Sequence, residues 1–549
     1  MRTNVTMKEA APPTVRRVQP GRVLFAIVAP FQSFFRLEVA GGLVLMGNAL
    51  LALVWANSPL RALYDGVFHA TVEMRLAEHG IRMTVHHFTN DALMTSFFVV
   101  AGLEIKRELS QGELRKWTQA VLPLVAAAGG MVVPALIYLG LNPSGPARAG
   151  WAIPMATDIA FSLGCLSLVR RRVPTSLFVL LMALAIFDDL GAIVVIALFY
   201  GGHVHFLSLA ISLLLAAGLF MLGGARVQRI WPYALLGVLL WVFVLDSGVH
   251  AAVAGVIIGL ALPTSPRRPA LDVLDELDVA TTSLRRQCER SGVAPEGAIA
   301  AIERHLTSVQ SPLDRMMHGL HGVVAFGVVP LFALANAGVA IHLGSVFAST
   351  VTLGALLGLC LGKPIGIFGA IWLATRIGLA SKPTNATWTQ ILGISVIAGV
   401  GFTMSLFIGN LGLGALRSLE DEAKLGVLAG SAVSALIGLA LVRLSSTSVS
   451  PSPKDEDLPV VLDVPRFARG YGVEPCNVVG ALLGRTIADL DLRRRFGVTA
   501  IGVWRDGPDA GVRNLEPVAV DDPLRPGDVL LLAGSDRALE DFRAFAREA

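Results

Sequence analysis

Apolar and polar positions along this chain fall into long blocks. Twelve apolar segments precede residue 445, at about 39–57, 88–105, 118–141, 152–169, 177–200, 206–223, 232–246, 249–263, 321–342, 351–375, 388–410 and 424–442. As a helix, the stretch from Leu177 to Tyr200 would rise about 36 Å, enough to cross a hydrocarbon core of about 30 Å. The pattern predicts an all-α polytopic membrane protein of about twelve transmembrane helices, with the lipid bilayer as its solvent. Lys and Arg gather in alternate connections, in "EIKRELSQGELRKW", "RRRVP", "GARVQR", "PRRP" and "TRIGLASK". The connections between them, such as "LNPSGPARAG" and "YGGHVH", carry few. The positive-inside rule then places both termini in the cytoplasm, which fits the cell (inner) membrane.

Outside the apolar blocks the pattern marks four further regions. Residues 1–34 are polar, basic and Pro-containing, without a short apolar stretch and small-residue cleavage site, and read as a cytoplasmic arm rather than a signal peptide. Between the eighth and ninth segments, a cytoplasmic insertion at about 264–319 has the spacing of short amphipathic helices. Composition changes after Arg443: residues 446–459 read as a linker and 460–549 as a small soluble α+β domain. In that domain "VTAIGVW", "EPVAVD" and "DVLLLAG" are β-branched runs bounded by turn residues, while "GRTIADLDLRRRFG" and "DRALEDFRAFAREA" have helical spacing.

Composition narrows the chemistry. Hydrophobic residues make up 54% and charged residues 16% of the 549, against about 25% charge in soluble domains. A net charge of +4 is what scattered loop arginines would give, so no nucleic-acid partner is implied. Cys165, Cys288, Cys360 and Cys476 lie far apart, suggesting neither a disulfide framework nor a zinc site. No cofactor is expected.

Against this background, four charged residues stand near the middle of apolar segments: Asp158, the adjacent pair Asp188 and Asp189, and Lys363. Each ionised group at that depth costs about 2.5–3.5 kcal/mol on insertion scales, which points to a bundle-interior site on an ion or proton pathway. Structural ion pairing of Lys363 with one aspartate would leave at least two acids unexplained. The segment holding Asp158 is interrupted by Pro154, Thr157 and Gly164, and the eleventh segment by Gly399, Gly401, Thr403 and Ser405. Each is the middle span of a triplet, segments three to five and ten to twelve, and the second triplet enters from the opposite side. That is the pattern of an inverted repeat whose interrupted helices four and eleven meet at a midplane site. Consecutive helix residues diverge by about 100°, so one of the paired acids can meet Lys363 while the other joins Asp158 and the Thr157 hydroxyl as hard oxygen ligands. Such ligands suit Na+ or Li+ rather than a soft metal. Crowded carboxyl groups short of water also bind protons readily, so cation and proton compete. An intramembrane aspartyl protease would need a GxGD-like context and a channel a repeated filter sequence; neither is present, and no enzymatic activity is expected.

Several motifs carry a family resemblance. "ATDIAF", "LAIFDDLGAI", "LGKPIGIF", "GVGFTMSLFI", "GLEIKREL", "SGVHA" and "PLFALANAGV" run in order across residues 35–445 and resemble the NhaA-type sodium/proton antiporters. Inverted repeats are a known property of that family. The resemblance implies that Asp188 and Asp189 bind the transported cation and protons, and that Asp158 and Thr157 sit where two unwound helices cross. It makes Lys363 the lysine that pairs with the first acid or compensates the helix ends. On this reading Asp189 is the direct ligand and Asp188 the acid that exchanges its lysine for a proton. Protons from outside would drive Na+ or Li+ out of the cytoplasm, serving pH and sodium homeostasis. Glu104, Glu108 and His250 match positions linked to pH response, with a solvated charged turn and an ordinary hydrogen-bonded histidine as the plainer alternatives. His318 and His321 match histidines at the ninth span, but an acid expected just before them falls on Met317, a departure that touches the pH-activation profile. The tail resembles the TrkA-C regulatory domain of potassium-transport RCK proteins. It has neither a Gly-rich phosphate loop nor a His/Cys cluster; the resemblance implies dimerisation and a small anionic, nucleotide or ionic ligand that regulates transport. A homodimer is expected.

Overall fold

The computed structural model describes residues 40–76, 79–112, 117–169, 173–202, 204–266, 273, 310–340, 349–383, 386–445, 471–478, 482–506, 513–516 and 522–547. The N-terminal arm, most of the 264–319 insertion and the linker lie outside these residues. The chain divides into two compact units, one over residues 36–449 and one that includes residues 450–549.

The larger unit is helical. α1 (Ala40–Ala56) turns by 118° into the short amphipathic α2 (Arg61–Phe68). A hairpin follows, β1 (Thr71–Leu76) against β2 (His79–Thr84), antiparallel, which the apolar pattern does not announce. After a turn at Val85–His87 and a π-turn at Phe88–Leu93 come α3 (Met94–Gln111) and α4 (Trp117–Leu141). A 3-10 stretch (Pro146–Met155) leads into α5 (Ile159–Ser167), then α6 (Thr175–Phe199), α7 (Phe206–Gly224), α8 (Trp231–Asp246) and α9 (Ala252–Ala261). Ser311 caps α10 (Pro312–Val323), which runs through a π-turn into α11 (Val329–Asn336). α12 (Thr350–Leu357) passes through another π-turn, Gly358–Gly362, into α13 (Lys363–Arg376). α14 (Trp388–Ile397), α15 (Phe402–Leu413) and α16 (Arg417–Leu444) complete the unit.

Each of the twelve apolar segments thus contains helix among its described residues. Six spans are long and apolar enough to cross a membrane, and three bent pairs raise that to as many as nine among the described residues. α8 and α9 are shorter apolar helices. Boundaries move where polar caps intervene: the ninth segment starts earlier than hydropathy suggests because Ser311 and Pro312 begin its helix.

Two groups of helices share the unit. α4 packs on α6, α12 and α13, and α16 on α12, α14 and α15; these are the two triplets. In the other group α3 packs on α9 and α10, and α7 on α8. Close approach in the triplets depends on glycine. A Cβ on Gly366 would stand 2.1 Å from the Gly129 carbonyl oxygen, and one on Gly129 would stand 2.3 Å from that of Gly366. Small residues at such crossings let backbones touch where lipid supplies no hydrophobic drive.

In the smaller unit, β3 (Tyr471–Asn477), β4 (Thr499–Asp506), β5 (Arg513–Glu516) and β6 (Val529–Ser535) form an antiparallel sheet in the order β3-β6-β4-β5. Leu530 and Leu532 of β6 pack on Leu539 and Phe542 of α19 (Asp536–Arg547). The predicted first helix is two, α17 (Ile487–Leu490) and α18 (Leu492–Phe496), separated by Asp491 at φ 38°. Arg505 pairs with Asp522 and, at 3.1 Å, with Asp528; its hydrogen bond holds the Asp522 carboxyl below its usual range.

Gly366→Ala should destabilise the α4–α13 crossing by about 1–3 kcal/mol, the usual cost of overpacking. Thermal unfolding of the purified protein in detergent should show a lowered midpoint, whereas Gly369→Ala, whose Cβ would meet nothing within 4 Å, should not.

Candidate ion-binding site

The two interrupted helices cross as antiparallel broken pairs. Pro146–Met155 and α5 meet at a 42° bend, and α14 and α15 at 44°. The residues between the halves, 156–158 and 398–401, are unwound, and their backbone groups find partners across the crossing. The Asp158 N–H donates to the Val400 carbonyl at 2.7 Å, and the Ser162 hydroxyl donates to the Ile397 carbonyl at 3.2 Å.

Asp158 caps both inner half-helices. Its Oδ1 accepts from the Phe161 N–H at 3.0 Å, while Oδ2 accepts from the Thr403 N–H at 3.1 Å and the Thr403 hydroxyl at 2.8 Å. It therefore lies at the N-terminal ends of α5 and α15, where the helix dipoles favour negative charge. Three donors already occupy its two oxygens.

Asp188 and Asp189 part company as their helical spacing requires. Lys363, fully buried at the start of α13, donates to Asp188 Oδ2 and to Thr157 Oγ1. Thr157 Oγ1 is 2.5 Å from Asp188 Oδ2 and 3.0 Å from the Ala398 carbonyl oxygen. With one hydrogen, the hydroxyl serves one of these acceptors at a time. Asp188 Oδ1 and Asp189 Oδ1 are buried with no hydrogen-bond partner among the described residues. Asp189 lines a cavity of about 80 Å³ together with Thr157, Asp158, Thr403, Glu104 and His321.

The remaining candidates separate. Glu104 reaches the cavity from α3 with its Oε1 3.9 Å from His321 Nδ1. Glu108, one turn on, does not line it; its carboxylate lies over Gly112. His250 is elsewhere: its Nδ1 accepts from the Ala252 N–H at 3.2 Å, its Nε2 is 3.7 Å from Asp91 Oδ1, and its ring stands edge-on to Phe407. His318 Nδ1 is 2.7 Å from the Asp314 carbonyl oxygen. Met317 is buried, with its sulfur 3.6 Å from Arg107 Nη1. In the sequence Thr403 stands out only as part of an interruption, and nothing marks the Ala398 and Val400 carbonyls. A hydroxyl two residues after the Gly-Val-Gly break was the available signal.

A helical bundle with buried acids and a lysine at the crossing of two broken helices, and a cavity reaching the unpaired acid, defines a membrane ion transporter. Known proteins supply the family. The Na+/H+ antiporter 1 family model matches residues 32–442, and that of the TrkA-C domain matches 479–547. Over 449 residues the chain is 46% identical to Na(+)/H(+) antiporter NhaA 1 of Myxococcus xanthus, covering 80% of this chain and 99% of that protein. Over 446 residues it is 44% identical to Na(+)/H(+) antiporter NhaA of Anaeromyxobacter sp., covering 81% and 97%. A solved sodium proton antiporter, MjNhaP1 of Methanocaldococcus jannaschii, matches with 15% identity over 77% of this chain and 96% of that one at a TM-score of 0.39, and nothing here rests on it. The chain belongs to the Na+/H+ antiporter 1 family and carries a C-terminal TrkA-C domain.

Lys363→Ala strands Asp188 without its buried counter-charge. Loss of about 3–5 kcal/mol of stability is expected, measured as a lowered unfolding midpoint in detergent, and Asp188→Asn combined with it should recover part of the loss.

Proposed function

We propose that this protein exchanges cytoplasmic Na+ or Li+ for external protons on the acids at the helix crossing. The observation that carries the reading is the division of two neighbouring aspartates. One is ion-paired to Lys363; the other has an unpartnered oxygen on a cavity it shares with Thr157 and Asp158. Asp189 is the direct cation ligand, with Asp158 and Thr157 beside it. Asp188 gives up Lys363 when it takes a proton, so the lysine compensates the charge that the cation supplies in the other state. Cation and proton contend for the same oxygens, which couples their opposite movements without a separate device. Glu104 stands at the cavity with His321, and Glu108 and His250 act in pH response from outside it.

In this reading the chain crosses the cell membrane twelve times with both termini in the cytoplasm, and the cavity side bearing Glu104 and His321 faces inward. Residues 35–445 transport, 460–549 regulate through a small ligand, and two copies assemble. No resident cofactor takes part and no covalent chemistry is catalysed.

Everted vesicles carrying the protein under an imposed proton gradient test the assignment. Na+ or Li+ should dissipate the gradient and K+ should do so little. Asp189→Asn and Asp188→Asn should each reduce the response to background; full retention in both overturns the site.

Removing residues after Ser445 should leave exchange in the same vesicles and change its regulation. A truncated chain that folds yet exchanges nothing at any pH would make the tail part of the transport machinery.

A further inference from the structure

The first helix of the larger unit, α1, is fastened at one end and fitted at the other. Just past its far end, Asn57 donates from Nδ2 to the Val339 carbonyl at 2.8 Å. After the 118° turn, the Tyr64 hydroxyl of α2 donates to the Leu334 carbonyl at 2.7 Å. The Tyr64 ring also covers Gly338, leaving no room there for a Cβ. Trp55 of α1 stands edge-on to the same ring, with centroids 5.6 Å apart, and closes the turn. Hydrogen bonds thus fix α1 and α2 to the end of α11, in the helix group of α3 and α10.

The opposite end of α1 reaches the cavity and the other helix group. Ala40, Gly41, Gly42 and Leu43 carry no polar side chain, so this end is held by shape. A Cβ on Gly42 would stand 2.6 Å from the Ala160 carbonyl oxygen and 3.2 Å from its carbon, so the two backbones touch. Gly41 faces Ala325, in the π-turn between α10 and α11, more loosely: its Cβ would be 3.4 Å from that of Ala325. A Cβ on Gly47 would meet nothing within 4 Å, so the tight fit does not extend along the helix. Alanine is the better helix former; what calls for glycine at 42 is the close approach.

Ala160 lies in the first turn of α5, inside the acid site. Its neighbour Phe161 supplies the N–H that Asp158 Oδ1 accepts at 3.0 Å. Ile159 and Ala160 line the cavity with Asp189, as does Gly41. A push on the Ala160 carbonyl therefore bears on the half-helix that Asp158 caps.

Resting on the cation reading of that site, we propose that Gly42 is a positioning residue for cation binding. α1 is a strut, about 21 Å long from Gly42 to Ala56, fixed to the α11 group and bearing through Gly42 on α5. Its seat holds the capped turn of α5 where Asp158, Thr157 and Asp189 can meet one cation. A fit of shape alone can part when the two helix groups shift, and the fixed far end brings it back to the same place. A methyl group at 42 meets backbone rather than the tip of a flexible side chain, so something larger must move. With the far end of α1 fixed, the turn of α5 gives way.

The test titrates the purified full chain in detergent with LiCl by calorimetry, in alkaline buffer, and follows thermal unfolding beside it. Gly42→Ala should bind Li+ about tenfold more weakly than the parent, while Gly47→Ala should bind as the parent does. Tyr64→Phe removes a hydrogen bond at the far end. Combined with Gly42→Ala, it should return the affinity to within about threefold of Tyr64→Phe alone, because α1 then yields in place of α5. A merely structural clash would lower the unfolding midpoint of Gly42→Ala and leave the folded protein with the parent's Li+ affinity. That result, or a double variant no tighter than Gly42→Ala, overturns the strut. Should Gly42→Ala not fold, the double variant decides: it is expected to fold and bind Li+, and failure of either overturns the strut. Na+/H+ exchange by parent proteoliposomes judges transport separately. A parent that binds Li+ without exchange sinks the transport reading alone, and one that binds no Li+ sinks the cation site and the strut together.

Discussion

The buried pair of Lys363 and Asp188 is the interaction around which the larger unit is arranged. Both side chains are buried, so each would be untenable alone, and the pair needs further hydrogen bonds to offset desolvation. Thr157 supplies one, from the unwound stretch before α5, and shares it with the Ala398 carbonyl from the other unwound stretch. Four polar groups from four spans are thereby tied to one point. Because both helix breaks feed the same knot, neither can move without altering the surroundings of the pair. A change of charge at Asp188 is thus a structural event as well as a chemical one.

Asp158 solves a related problem at the same crossing. Two half-helices begin there, each with N–H groups that lack intrahelical acceptors. One carboxylate caps both, through Phe161 on one side and Thr403 on the other. This leaves Asp189 as the acid of the three whose charge has neither lysine nor helix end assigned to it. The cavity meets it rather than its neighbour, and an unsatisfied carboxylate beside such a space is what a hard cation would find favourable. Glycines such as Gly129 and Gly366 bring the surrounding spans close enough to hold this geometry.

Much of this was legible in the chain. Apolar blocks marked the helical segments of the bundle, because a bilayer leaves backbone groups little choice but helix. Mid-span charges marked Asp158, Asp188, Asp189 and Lys363, since burying them without purpose is costly. Less legible were elements whose signal is local and weak: the hairpin at 71–84, the strand β3, and the division of one predicted helix at Asp491. Hydropathy also misplaced the start of the ninth span, where the Ser311 cap outweighs the apolar pattern. Thr403 and the carbonyls of Ala398 and Val400 escaped notice because a backbone acceptor or lone hydroxyl carries no signature until a partner is brought to it.

What the sequence determined alone was the apolar helical segments, the mid-segment charges within them and the attachment of a small α+β tail, all properties of residue type and spacing. Which aspartate faces the lysine was beyond it. The 100° step between consecutive helix residues says that Asp188 and Asp189 diverge, not in which direction. Only the packing of α6 between α13 and the unwound stretches decided that Asp188 meets Lys363 and Asp189 the cavity.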